Sequence, residues 1–102
     1  YSRHLERFRS ATAVFAVSDY YAIDLMQFLG ERGISVPKDL AVAGLDGTPM
    51  SELVFPALTT VRQDNALRAR TAMEQLENLR EGRETSPTVM LPVALLERAS
   101  SG

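Results

Sequence analysis

The chain has 102 residues, 45 % of them hydrophobic and 24 % charged, which suits one ordinary globular domain. A formal net charge of -2 speaks against a surface built to coat nucleic acid, which would be basic. The absence of cysteine excludes disulfides, zinc–thiolate sites and thiol nucleophiles, and fits a cytoplasmic setting.

Residues 1–8 are charged throughout and hold no signal-peptide core. No apolar run in the chain approaches the ~18 residues of a membrane span, so no membrane partner is expected. There is no initiator methionine and the opening reads as the interior of a helix, so a piece of a longer chain is expected.

Thr12-Ala13-Val14-Phe15-Ala16-Val17 is nearly all apolar, the pattern of a strand buried on both faces of a parallel sheet. Ser18 is a good helix N-cap, and Asp19 falls in the first turn, where the helix dipole favours a negative charge. Ala22, Leu25, Met26 and Leu29 recur at helical spacing, and Gly33 is expected just past the helix end. After the turn Val36-Pro37-Lys38-Asp39, a second apolar run, Leu40-Ala41-Val42-Ala43-Gly44-Leu45, completes a βαβ unit with parallel strands.

Asp46-Gly47-Thr48-Pro49 reads as a loop, followed by an irregular stretch to Pro56 and a short strand at Leu58-Thr59-Thr60-Val61. Asp64 can cap a long helix with apolar positions Ala69, Ala72, Met73, Leu76 and Leu79, ending near Gly82. A last strand over residues 89–96 carries Pro92, which points to a sheet edge or a bulge.

In open parallel sheets, ligands bind beyond the carboxyl ends of the strands. Ser18 and Asp19 follow the first strand, Asp46 follows the second, and Gln63 follows the third. Carboxylates accept hydrogen bonds from ligand hydroxyls or amines, and the Gln63 amide can both donate and accept. Simpler roles compete: capping for Ser18 and Asp19, a turn at Asp46, and plain surface for Gln63, Arg62 and His4. Phosphate-cradling, dinucleotide and nucleophile-elbow motifs are all absent, and one histidine cannot form a histidine-pair metal site. No catalytic residue, metal or cofactor is expected, although Asp19 with Asp46 leaves a small acid–base or magnesium enzyme as a rival reading.

The segment TAVFAVSDYYAIDLMQFLGERGISVPKDLAVAGLDGTP, then PALTTVRQD, a long helix ending EGRE, and VMLPVALLER, resembles the closing part of LacI/GalR regulators over residues 12–98. The resemblance implies an α/β fold: an open parallel-sheet sandwich of periplasmic-binding-protein type (type I). Residues 1–102 would form the C-terminal part of its effector-binding domain. It implies a sensor and not an enzyme, with a sugar-like effector faced by Ser18, Asp46 and Gln63; Asp19, placed beside Ser18 at the end of the first strand, is counted with this effector site. Ser18 replaces the asparagine usual in that family, and Gly47 replaces a usual aspartate. A homodimer through Ala22, Ile23, Met26, Val54 and Phe55 is implied as well. Residues 64–82 would pack on an N-terminal subdomain outside this sequence, and operator DNA would be met only through an N-terminal helix-turn-helix, also outside it. Half of a periplasmic sugar-transport protein is the closest alternative.

Overall fold

In the computed structural model, which describes residues 1–102, the apolar runs on either side of the Ser18 helix pair as parallel neighbours. The chain forms two compact units, residues 1–62 with 94–102, and residues 63–93.

In the first unit, a short helix α1 (Leu5–Ser10) leads into β1 (Ala13–Phe15), then α2 (Asp19–Glu31) and β2 (Ala41–Asp46). A five-residue helix α3 (Pro49–Leu53) precedes β3 (Thr59–Gln63). Together with β4 (Val93–Leu96), the strands make one sheet in the order β1-β2-β3-β4. The register sets Val14 beside Val42, Gly44 beside Thr60 and Asp46 beside Arg62.

The expected apolar stripe of α2 is its buried face: Ala22, Leu25, Met26 and Leu29 join Ile34, Leu40, Val42 and Leu58 in the core. The helix closes as anticipated at Gly33, whose φ is 75°. Ile34 N–H bonds the Leu29 carbonyl (2.9 Å) and Gly33 N–H the Gly30 carbonyl (3.2 Å). That pair of bonds is a Schellman motif, and Ile34 and Leu29 pack together beneath it.

Three expectations need correcting. First, β1 is buried on one face only: Val14 is half-buried while Ala13 and Phe15 are exposed, Phe15 by 60 %. An apolar run reports that burial is wanted, not that the chain itself supplies a cover for both faces. Second, the stretch between Asp46 and Pro56 is not wholly irregular: residues 49–53 form α3, with Pro49 at its start, where its missing N–H costs nothing. Third, the last strand begins at Val93, after Pro92, and not at residue 89, while its place at the sheet edge is the one Pro92 pointed to.

A polar latch missed in the sequence joins the chain's last residues to the core. Arg98 Nη1 donates to Ser51 Oγ (2.7 Å) and to the Leu58 carbonyl (3.0 Å). Buried Ser100 donates to the Val42 carbonyl (2.6 Å) and accepts from Thr59 N–H (2.8 Å).

The second unit is built on α4 (Asn65–Arg80), capped as expected by Asp64, whose Oδ1 accepts from Leu67 N–H at 3.0 Å. It ends in a second Schellman pair at Gly82, with Gly82 N–H on Leu79 and Arg83 N–H on Asn78. Its half-buried stripe is Leu67, Thr71, Gln75 and Asn78, not the apolar one. Gln75 accepts from Ser86 N–H at 3.1 Å. Met73, Leu76 and Leu79 are left 61 %, 59 % and 62 % exposed.

Candidate functional site

The carboxyl ends of β1 and β2 bring Ser18, Asp19 and residues 46–48 together through one buried carboxylate. Ser18 is the N-cap of α2, accepting from Tyr21 N–H at 3.2 Å, and it stays half-buried. Asp19, one residue on, has no exposed surface at all. Its Oδ2 accepts from Thr48 N–H (2.7 Å) and Thr48 Oγ1 (2.9 Å), and its Oδ1 accepts from Thr60 Oγ1 (2.5 Å). Thr60, also fully buried, accepts in turn from Gly47 N–H at 3.2 Å. Such a carboxylate, saturated inside the fold, ties the start of α2 to the loop after β2 and to β3. It is neither a simple first-turn residue nor an open ligand contact.

Gly44 makes room for it. A Cβ built there would stand 2.7 Å from Asp19 Oδ1 and 3.0 Å from Leu58 Cδ2. The strand can pass this close to α2 only because residue 44 has no side chain.

Asp46 ends β2 with φ at 131°, a backbone region that costs a non-glycine residue on the order of 1–3 kcal/mol and that clusters at binding sites. Gly47 follows at φ 71°, and a Cβ there would meet Arg62 Cβ at 2.5 Å and Arg62 Cα at 2.7 Å. The glycine that stands where the resembled family has aspartate is therefore the residue this loop geometry demands. Asp46 itself is half-buried. Gln63 closes β3 at the boundary of the second unit, half-buried.

The expected dimer residues divide. Ala22 is wholly buried under the core and can offer nothing to a partner, which corrects its assignment to an interface. Sequence spacing alone cannot tell the inner from the outer edge of a helical stripe. Ile23, Met26, Val54 and Phe55 line one groove between α2 and the residues after α3, with Phe55 fully open. Tyr20, Asp24 and Gln27 extend the exposed side of α2 beside it, next to Met50 of α3.

Thr48 and Thr60, the partners of Asp19, were not singled out from the sequence. For Thr60 the available signal was a threonine at an inward strand position, which in a buried sheet must find a hydrogen-bond partner; Thr48, in the loop before α3, carries no such signal. No side-chain nitrogen or oxygen is left buried without a partner, and no helix is long and apolar enough to cross a membrane.

Residues 1–101 match the family model of the periplasmic binding protein-like domain. The chain is 33 % identical over 90 residues to the lactose operon repressor of Escherichia coli (strain K12), covering 88 % of this chain but 25 % of that protein. It superposes with a TM-score of 0.87 and 31 % identity on the lac repressor dimer bound to operator and the anti-inducer ONPF, covering 97 % of this chain and 30 % of that one. A periplasmic binding protein/LacI transcriptional regulator from Alkaliphilus metalliredigens QYMF, complexed with D-xylulofuranose, matches with a TM-score of 0.82 and 27 % identity, over 96 % of this chain and 37 % of that one.

Proposed function

This chain belongs to the periplasmic binding protein-like family, as part of the effector-binding domain of a LacI-type regulator, and from that premise we propose that its strand ends form one wall of a sugar-like effector site. Ser18, Asp46 and Gln63 are the residues that touch the effector in this reading, with Asp19 behind them. The observation that carries it is Asp46: a carboxylate at the carboxyl end of a central parallel strand, held at φ 131°. Its relatives regulate transcription, which favours a sensor over a transport protein or an enzyme.

In the whole regulator, effector binding biases the closure of two subdomains, and so the affinity for operator DNA of a helix-turn-helix outside residues 1–102. Such control requires that the effector bind the two states with different affinity. In this reading the protein works in the cytoplasm as a homodimer, with Ile23, Met26, Val54 and Phe55 in the contact and α4 packed on the second subdomain.

Asp46→Ala in the whole protein is expected to weaken sugar binding about tenfold to a hundredfold, the loss of a charged hydrogen bond worth roughly 1.5–3 kcal/mol. Calorimetry against lactose and D-xylulose measures it, and unchanged affinity for a sugar that the parent binds removes Asp46 from the site. Residues 1–102 alone should give no sequence-specific shift of operator DNA in a gel, since a net charge of -2 supplies no surface for neutralising phosphates. A specific shift by this chain would contradict the assignment of operator binding to another segment.

A further inference from the structure

We propose that Asp19 is a positioning residue of this site: its buried carboxylate fixes the backbone of residues 46–48 and so presents Asp46 in a conformation it would not hold alone. The consequence for binding rests on the effector reading above, whereas the backbone restraint stands on the geometry itself.

Asp46 has its φ at 131°, a value that side chains with a Cβ rarely adopt. Something outside the residue must therefore hold it. The two peptide N–H groups that follow are both spoken for. Gly47 N–H is bonded to Thr60 Oγ1 and Thr48 N–H to Asp19 Oδ2. Thr60 in turn gives its own hydroxyl proton to Asp19 Oδ1, so both restraints end on one carboxylate. If Asp46 relaxed to an ordinary φ, these peptides would swing away and a fully buried carboxylate would lose both of its Thr48 donors. Strain at residue 46 and satisfaction of Asp19 are thus coupled.

The chemistry selects a carboxylate. Asp19 receives hydrogen bonds from three groups: Thr48 N–H, the Thr48 hydroxyl and the Thr60 hydroxyl. An ionised carboxylate only accepts, so it can serve all of them, and an amide would turn an N–H against one side of the cluster. The first turn of α2 adds a favourable field for the negative charge. Because Ser18 caps the same turn, the Asp19 side chain also sets the spacing between Ser18 and Asp46.

Amide hydrogen exchange on the 102-residue chain tests this, with Asp19→Asn, Thr60→Val and Thr60→Ser compared with the parent. In Asp19→Asn and Thr60→Val, Gly47 and Thr48 amides should exchange about tenfold faster or more, while those of Leu25 and Leu29 in α2 change far less. Thr60→Ser, which keeps the hydroxyl, should restore parental protection. Unchanged exchange at residues 47 and 48, or a rise spread evenly over the chain, overturns the proposal. If Asp19→Asn does not fold, the contrast between valine and serine at residue 60 decides. In the whole protein, Asp19→Asn should also bind lactose or D-xylulose about tenfold more weakly, with Thr60→Ser near the parent. A parent that binds neither sugar counts against the effector reading, and the exchange pattern still decides the role of Asp19.

Discussion

A Gly44→Ala variant is expected to lose about 2.5–6 kcal/mol of stability, a large share of the roughly 5–15 kcal/mol that holds a small domain together. The added methyl would lie 2.7 Å from Asp19 Oδ1, 3.0 Å from Leu58 Cδ2 and 3.3 Å from Ala22 Cβ. None of these can step aside cheaply. Leu58 and Ala22 are core, and Asp19 is held by Thr48 and Thr60. Overpacking of this kind costs about 1–3 kcal/mol, and breaking a hydrogen bond to a buried carboxylate adds roughly 1.5–3 kcal/mol. Gly30 is the control. It lies exposed in the last turn of α2 with nothing within 4 Å of a new Cβ. Gly30→Ala should raise stability by up to about 1 kcal/mol through helix propensity alone. Urea midpoints at constant slope measure both changes, and equal effects at the two glycines would mean that the close approach of β2 to α2 is wrong.

At micromolar concentration the 102-residue chain is expected to be a dimer or larger. Met73, Leu76 and Leu79 on α4 each keep about three-fifths of their surface exposed. Burying a whole side chain of this size is worth roughly 1.5–3 kcal/mol, so covering what remains open on these three recovers about 3–5 kcal/mol per chain. A symmetric pair recovers twice that, about 6–10 kcal/mol, against an association cost of roughly 4–15 kcal/mol. The helix alone is then close to balance. Phe15, Val93 and Leu95, all exposed on strands, tip it toward association. Light scattering through a sizing column reads the mass directly. Replacing Leu76 and Phe15 together by glutamate should shift the chain toward monomer. A parent chain that stays monomeric at tens of micromolar would mean that these faces cost less in water than their area implies.

Local signals were legible wherever a residue acts on its own neighbours. The caps at Ser18 and Asp64, the glycine endings at Gly33 and Gly82, the buried stripe of α2 and the parallel pairing of β1 with β2 all follow from side chains bonding or packing within a few residues, or from an apolar run that requires cover. The order of motifs was enough for the family. The strand ends likewise directed attention to Ser18, Asp46 and Gln63, because a parallel sheet leaves its loops there.

Tertiary structure alone decided the rest, since it depends on groups far apart in the chain. Whether Asp19 faces solvent or the interior hinges on Thr48 and Thr60, 29 and 41 residues away. The need for glycine at residue 47 comes from Arg62 on the next strand, and Ala22 is lost to an interface because Gly44 lets β2 approach it. The apolar residues of β1 and α4 state that cover is wanted, but burial is a property of the surfaces that meet. A residue's polarity fixes the cost of leaving it exposed, and the path of the whole chain fixes whether that cost is met.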